Sequence, residues 1–522
     1  MQAANRVAIN TGILYVRMGI TVFISLYSTR LILEALGAND FGIFGVVGGA
    51  ISMFGFLNNS MAAATQRFMS YSQGAGDISR LQQIFKTSFI LHLIIAVMLY
   101  IILLVVGNFL FHGVLNISHE RVDVAEALFQ FMIVSALFSV VSVPFDAIFN
   151  AHENMFLYAL LGIIENILKL AAAFLLLSSG SDRLMLYGVL VAGISAFLLL
   201  FRFWYCFRKY PECRIDFQNI DKSLIKEMIS FAGWNFLGTS TTMIAHHAQG
   251  IIMNMFFGTL VNAAQAITNQ VVGQLGAFAS TMQKAINPRI AKSEGAGDRE
   301  RMLQATMIGC KASFFLVVLL VVPVLIEMPY IFKIWLKSIP PYTMIFCQLY
   351  LIRNIIDQLF ATLISSIIAV GKIRNFQLLT SAIALIPLIL TYLLFKSGYP
   401  PYTLYIVFIL YSIIHSLNIL YFSHKVCELS ISLFLKEVVF RCVMTLLSLF
   451  LIAILPQIFV SEGLYRMIAV CFATIIGFVF SVWCIGLNMK ERSLIQHLGE
   501  LIIDRFLLRT KRLFTLIHLK TN

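Results

Sequence analysis

The chain has 522 residues, of which 59% are hydrophobic and 12% charged, against about 25% charged in an ordinary soluble domain. Apolar stretches of about 20 residues recur from one end to the other, which excludes a soluble multidomain protein and predicts an integral membrane protein. The net charge of +13 fits basic loops gathered on one side of a membrane better than it fits a nucleic-acid partner.

Hydropathy predicts an all-α polytopic membrane protein of about 14 transmembrane helices, centred on residues 7–31, 41–64, 87–110, 127–149, 155–178, 184–206, 227–250, 260–283, 308–328, 345–369, 376–396, 403–423, 437–456 and 466–488. The first span carries a polar stripe, Asn10, Arg17, Thr21, Ser25 and Ser28, whose spacing puts these residues on one helix face. Arg17 lies well inside the span with no acidic residue within one turn. A cation at that depth costs roughly 2.5–3.5 kcal/mol on insertion scales. It must meet water or an anionic ligand, or snorkel to the surface, and its bidentate fork suits phosphate. The second span is rich in small residues (Gly42, Gly45, Gly48, Gly49, Ser52, Gly55), as expected for close helix packing.

A glycine-rich stretch follows, Ser72-Gln73-Gly74-Ala75-Gly76-Asp77, with Arg67 before it and Arg80 after it. The fourth span holds Pro144 and Asp146 and leads into a short turn, Ala151-His152-Glu153-Asn154. In the fifth, Glu165 and Lys169 are four apart and suited to an intrahelical ion pair, structural or switchable. The largest connections, 203–226 and 284–307, are short and basic, and no loop has room for a soluble catalytic domain.

The seventh span repeats the polar stripe with Asn235, Thr239, Thr242, His246 and Gln249. His246 lies on the stripe and its neighbour His247 points elsewhere. His246 reads either as a proton-coupling or substrate group or as a hydrogen-bonded polar residue. A metal site is not expected, because no carboxylate or cysteine lies at ligand spacing. The eighth span lines up Asn262, Gln265, Asn269, Gly273, Gly276 and Ser280. Then the glycine-rich stretch returns as Ser293-Glu294-Gly295-Ala296-Gly297-Asp298, with Arg289 upstream and Arg301 downstream. The tenth span holds Arg353 and Asp357, another pair four apart, and ends at Gly371-Lys372-Ile373-Arg374. His92, His415 and Arg441 are isolated and carry no assignment. The tail after Lys490 alternates apolar and basic residues at helical spacing and is expected to lie along the inner membrane surface.

The eight cysteines form no CxxC pair and read as core residues or free thiols. The first apolar segment is too long for a cleavable signal peptide. No cofactor is expected.

The two glycine-rich stretches are 221 residues apart at every matched position, and the same offset pairs Gly12 with Gly233, Gly37 with Gly258, Thr21 with Thr242, Ser25 with His246 and Ser28 with Gln249. A repeat of six spans returns the chain to the same side, so the two halves share an orientation, as in parallel-repeat transporters. The expected domains are a six-helix bundle (1–206), a cytoplasmic linker (207–226), a second six-helix bundle (227–423), two further helices (424–488) and a basic tail (489–522). Lysines and arginines number 27 on one side of this arrangement and 7 on the other, which places both termini in the cytoplasm. Polar stripes must face protein or water, so spans 1, 2, 7 and 8 are expected to line a hydrated central cavity. The alternative is helix packing through small residues and side-chain hydrogen bonds. The glycine-rich stretches lack the lysine-serine/threonine ending of a phosphate loop. They read as turns whose glycines end one helix and whose Asp77 and Asp298 cap the next.

The polar first span with its arginine, the small-residue second span, the repeated loop, Pro144 with the Ala151–Asn154 turn and the Gly371–Arg374 turn together resemble Wzx-type O-antigen and capsule flippases. These belong to the multidrug/oligosaccharidyl-lipid/polysaccharide exporter superfamily. The resemblance implies movement of an undecaprenyl-diphosphate-linked oligosaccharide from the cytoplasmic to the periplasmic leaflet of a bacterial inner membrane, by alternating access and without enzymatic chemistry. It implies membrane lipids, a polysaccharide polymerase and glycosyltransferases as partners, and no nucleic acid. Arg17 matches, by position, an arginine that holds the diphosphate in the related lipid II flippases. The offset partner of Arg17 is Gly238, so no symmetric arginine clamp is implied. The fourteen-span count also resembles the lipid II flippases, whose last two helices help form a groove for the lipid tail. Candidate substrate contacts are Arg17, Thr21, Asn235, His246, Gln249, Gln265 and Asn269, and Glu165, Lys169, Arg353 and Asp357 are candidate coupling or structural ion pairs. The rivals are an ion-coupled multidrug antiporter of the same fold and a membrane-embedded polymerase or ligase.

Overall fold

The structure, a computed structural model, describes residues 2–496 except 53–54, 112–118, 181, 214–220, 336–338, 490 and 494–495. The expectation of an amphipathic tail falls almost wholly outside these residues. Among the described residues the regular structure is helical throughout, and ten helices are long and apolar enough to cross a membrane.

The first repeat comprises α1 (Gln2–Ser52), α2 (Gly55–Ala75), α3 (Ile78–Phe109), α4 (Val122–Ala151), α5 (Met155–Ser178) and α6 (Arg183–Lys209). The second comprises α7 (Lys222–Gly295), α8 (Arg299–Ile326), the short α9 (Met328–Trp335), α10 (Thr343–Val370), α11 (Arg374–Lys396) and α12 (Thr403–Cys427). After them come α13 (Ile431–Phe434), a π-helical segment (Leu435–Phe440), α14 (Arg441–Phe459) and α15 (Leu464–Ser481). Helix α1 breaks at Gly37 (φ 76°) and α7 breaks at Gly258 (φ 73°), the pair related by the repeat offset.

The segment 284–307, expected as a connection, is helical except at residues 296–298. Residues 65–75 likewise extend α2 beyond the predicted end of span 2. The polar composition that marks a loop in hydropathy here marks helix ends reaching past the apolar layer.

Apart from α2, which packs most extensively on α7, helices α1 to α6 pack chiefly on one another, as do α7, α8 and α10 to α12. The main junction between the two sets is α2 against α7, with α1 also touching α7. Helices α14 and α15 pack on each other and on α8, so they belong with the second set. Two ion pairs pin them there: Arg466 donates to both carboxylate oxygens of Glu327 at 2.9 and 3.0 Å, and Lys311 to both of Glu491 at 3.0 and 2.9 Å. The π-helical turn places Arg441 against Glu437 (3.2 Å) and the carbonyls of Ile485 and Leu487, which gives that isolated arginine its partners. At the far end of the first set, Arg121 bridges Asp40 and Asp182, and Arg183 donates to the Ala35 carbonyl at 2.9 Å. Six of the eight thiols are buried and all eight are unpaired.

Candidate functional site

The repeated stretches meet each other. A methyl group on Gly74 would lie 1.9 Å from the carbonyl oxygen of Lys292, and one on Gly295 would lie 1.9 Å from that of Tyr71. Gly74 and Gly295 are repeat equivalents, and so are Tyr71 and Lys292. One contact is therefore the image of the other. Only residues without a side chain let the two backbones approach this closely. Gly76 (φ 73°) and Gly297 (φ 74°) make the left-handed turns that follow. Asp77 then accepts from the Arg80 N–H at 2.9 Å and Asp298 from the Arg301 N–H at 3.0 Å, capping α3 and α8 as the sequence predicts.

One flanking pair of contacts obeys the same symmetry. Ser60 and Thr239 share a hydrogen bond at 3.2 Å, and Thr281 donates to the Met18 sulfur at 3.5 Å. Ser60 pairs with Thr281 by the offset, and Met18 with Thr239. The Arg67 Nε donates to the Ala369 carbonyl at 3.2 Å, reaching from α2 to the last turn of α10. Lys292 at the end of α7 lies 3.7 Å from Glu153 in the α4–α5 turn. Arg80 pairs with Asp221 at 3.0 Å and Glu227 at 3.6 Å. The Leu224 N–H, the Ser223 N–H and Arg80 together hold the Asp221 carboxyl below its ordinary value. Phe68 and Phe231 meet edge to face at 5.8 Å. These contacts close the gap between the two sets at the face that bears the repeated loops.

Arg17 does not point across this junction. Its guanidinium lies over the Tyr158 ring at 4.6 Å and against Gly162, both on α5. Among the described residues it makes no ion pair, the nearby carboxylate of Asp146 on α4 being paired with Arg202. Asp146 itself receives a hydrogen bond from Arg202 at 2.8 Å. Thr21 accepts from Asn166 at 3.5 Å, and Lys169 pairs with Glu165 at 2.7 Å. The first set thus holds a polar cluster between α1, α4, α5 and α6.

The second set holds its own cavity, about 620 Å³, walled by α7, α10, α11 and α12. That falls within the roughly 300–1,000 Å³ of small-ligand sites. Gln377 donates to the Asn235 side chain at 3.4 Å, and its carbonyl oxygen occupies the space where a Cβ on Gly238 would stand. A larger residue at 238 would displace the Gln377 amide and break its hydrogen bond to Asn235. Asp357 lies 3.6 Å from Arg353, which donates to Ser412 at 3.0 Å and stacks over Phe408 at 5.0 Å. His415 stacks on Tyr411 at 5.6 Å, and its Nε2 is buried with no hydrogen-bond partner among the described residues.

The predicted contacts are therefore not one cluster. Arg17 and Thr21 belong to the first set, and Asn235 faces α11 within the second. Gln249 and Gln265 are buried, and Asn269 is half-buried. The expectations for His246 and Asn262 fall on side chains outside the described ones. Both predicted ion pairs form. The Asp146–Arg202 pair, the His152–Glu212 contact and the Gln377–Gly238 packing were not anticipated. Each joins residues 56 or more apart in sequence, and the signal in the sequence was charge alone, in Asp146 and Arg202 and in His152 and Glu212.

Comparison with known proteins fixes the family. The family described as polysaccharide biosynthesis protein matches residues 5–294, more than half of the chain. Among curated proteins none matches. Among solved structures, a crystal structure of MATE in the bent conformation aligns with a TM-score of 0.70 at 12% identity, over 81% of this chain and 95% of that one. A MOP superfamily transporter from Pyrococcus furiosus, described as having a binding pocket of reverse polarity that suggests a different function, aligns with a TM-score of 0.69 at 14% identity, over 81% of this chain and 96% of that one. An outward-facing MATE family transporter of the MOP superfamily gives 0.66, again at 14% identity with 81% and 96% covered. With this fold and this match, the chain belongs to the polysaccharide biosynthesis protein family.

Proposed function

We propose that the protein is a flippase that moves undecaprenyl-diphosphate-linked oligosaccharide units from the cytoplasmic to the periplasmic leaflet, for O-antigen, capsule or exopolysaccharide synthesis. The observation that carries this reading is the reciprocal junction at Gly74 and Gly295, which joins two stretches related by the 221-residue offset. Two sets that meet through a matched contact at one face can separate there and meet at the opposite face, which is alternating access. A ligand drives such an exchange only through different affinities for the two states.

In this reading the chain crosses the membrane fourteen times as two six-helix bundles and two further helices, with both termini in the cytoplasm. The closed face is cytoplasmic. Arg17, aromatic-stacked and without a carboxylate partner, engages the diphosphate. Amide and hydroxyl groups around the second cavity, Asn235, Gln377 and Thr380 among them, contact sugar hydroxyls. The polyprenyl chain stays in lipid, beside α14 and α15.

The test is complementation of a strain that lacks its own flippase for a defined glycan. Wild-type protein restores surface polysaccharide, and Arg17→Ala does not. The MATE-like fold favours a second reading, an ion-coupled drug antiporter with Asp357 in the cavity. Intact flipping in Arg17→Ala, with cation efflux abolished by Asp357→Asn, would establish that rival. Glycosyl transfer by the purified protein would overturn both.

A further inference from the structure

A crevice of about 710 Å³ opens beside the glycine junction. One wall is α2, with Arg67. The other walls belong to the second repeat: Glu227, Phe231 and Trp234 on α7, and Lys372 and Arg374 in the turn that starts α11. Three cations and one carboxylate therefore surround a single space. Among the described residues none of the three cations is ion-paired, whereas Glu227 is drawn to Arg80 at 3.6 Å. Arg67 spends its Nε on the Ala369 carbonyl, and its guanidinium is packed over Phe68 at 4.6 Å and Phe231 at 5.0 Å. Arg374 is held over the Trp234 ring at 5.2 Å. Lys372 and Arg374 are exposed. Helix α11 begins at Arg374 with no side-chain cap, so its first N–H groups add positive potential on the same side.

Unpaired, pre-oriented cations beside aromatic rings suit an anionic group that carries an apolar body. We infer that this crevice binds the phosphate group of an anionic membrane lipid, with the phosphate between Arg67, Lys372 and Arg374 and the glycerol region against Trp234 and Phe231. The walls come from both repeats, so the bound phosphate ties them together. It favours the state closed at this face, by the difference in affinity between the closed and open forms. The site is separate from the Arg17 cluster and does not depend on which glycan is moved.

Binding is measured on the full-length protein in detergent, titrated with phosphatidylglycerol, phosphatidylcholine or inorganic pyrophosphate. The readouts are the unfolding temperature and the distance between spin labels at Gln82 and Glu300, exposed positions near the loop face. Phosphatidylglycerol is expected to raise the unfolding temperature and sharpen the short-distance population, with phosphatidylcholine far weaker. A comparable response to pyrophosphate would retain the phosphate site and assign it to a soluble phosphate compound. Lys372→Ala combined with Arg374→Ala removes two exposed side chains, leaves the fold intact and lowers the apparent affinity about tenfold or more. Glu227→Gln tightens binding. No response to phosphatidylglycerol or pyrophosphate, or an equal response in the double variant, overturns the inference. Complementation reads the flippase function separately, so the two can fail independently.

Discussion

At the scale of single residues, the informative groups are charges whose neighbours decide their worth. Arg17 is held by an aromatic ring and a glycine surface, so Arg17→Lys keeps the charge and loses the planar fork. The variant is expected to retain folding but lower flipping about tenfold or more, measured by complementation across graded expression. Glu327 is only 1% exposed, and Arg466 is its ion-pair partner. Arg466→Ala leaves a buried carboxylate uncompensated and should cost about 3–5 kcal/mol, seen as a lower unfolding temperature. Replacing both residues with apolar ones recovers much of the loss. Asp221, at the N-cap of α7, has its carboxyl held low by the Leu224 N–H, the Ser223 N–H and Arg80. A depressed folded value means that its contribution is complete above the ordinary carboxylate value of 3.8 and disappears as pH falls through the folded value below it. The difference in unfolding temperature between wild type and Asp221→Asn should therefore hold steady from neutral pH down to about pH 5 and shrink only below 3.8.

At the scale of elements, the glycine junction makes a sharper claim. Gly74→Ala or Gly295→Ala places a methyl group where a carbonyl oxygen already stands, 1.9 Å away. Overpacking of this kind costs about 1–3 kcal/mol, and each 1.4 kcal/mol is tenfold in an equilibrium. Either variant should shift the Gln82–Glu300 distance toward the open state and slow transport. Gly12→Ala, where a methyl meets nothing within 4 Å, should do neither. Much of this was legible in the sequence: the 221-residue offset, the capping aspartates and the turn glycines all appear as expected. What was not legible is the division of labour within Gly-Ala-Gly. Gly76 and Gly297 serve the turn by their dihedral angles, and Gly74 and Gly295 serve a contact with a partner far away in the chain. A sequence shows local conformational need but not which backbone arrives opposite. The same limit scatters the expected site: the stripes of spans 1 and 7 predict one cavity, yet Arg17 turns toward α5 and Asn235 toward α11.

At the scale of the whole molecule, the two sets are fastened differently. The first is stapled at its far end by Arg121 between Asp40 and Asp182. The second carries α14 and α15 on α8, held by Arg466–Glu327 and Lys311–Glu491. Fastenings inside each set and a matched seam between them predict motion as two nearly rigid units. Label pairs within either set should keep one distance through the transport cycle, and pairs that span the seam should show two. Two populations within the first set would argue for helix-by-helix rearrangement.

The glycine contact at the centre of the seam is isologous. Each repeat brings the same hollow and the same carbonyl, and residue and partner exchange roles under the offset, as across the two-fold axis of a homodimer. A single repeat already carries both halves of the interlock. The chain has thus joined into one polypeptide an interface that two identical subunits could form. Its asymmetric parts, the Arg121 staple and the C-terminal helices, lie away from that axis and are free to differ without disturbing it.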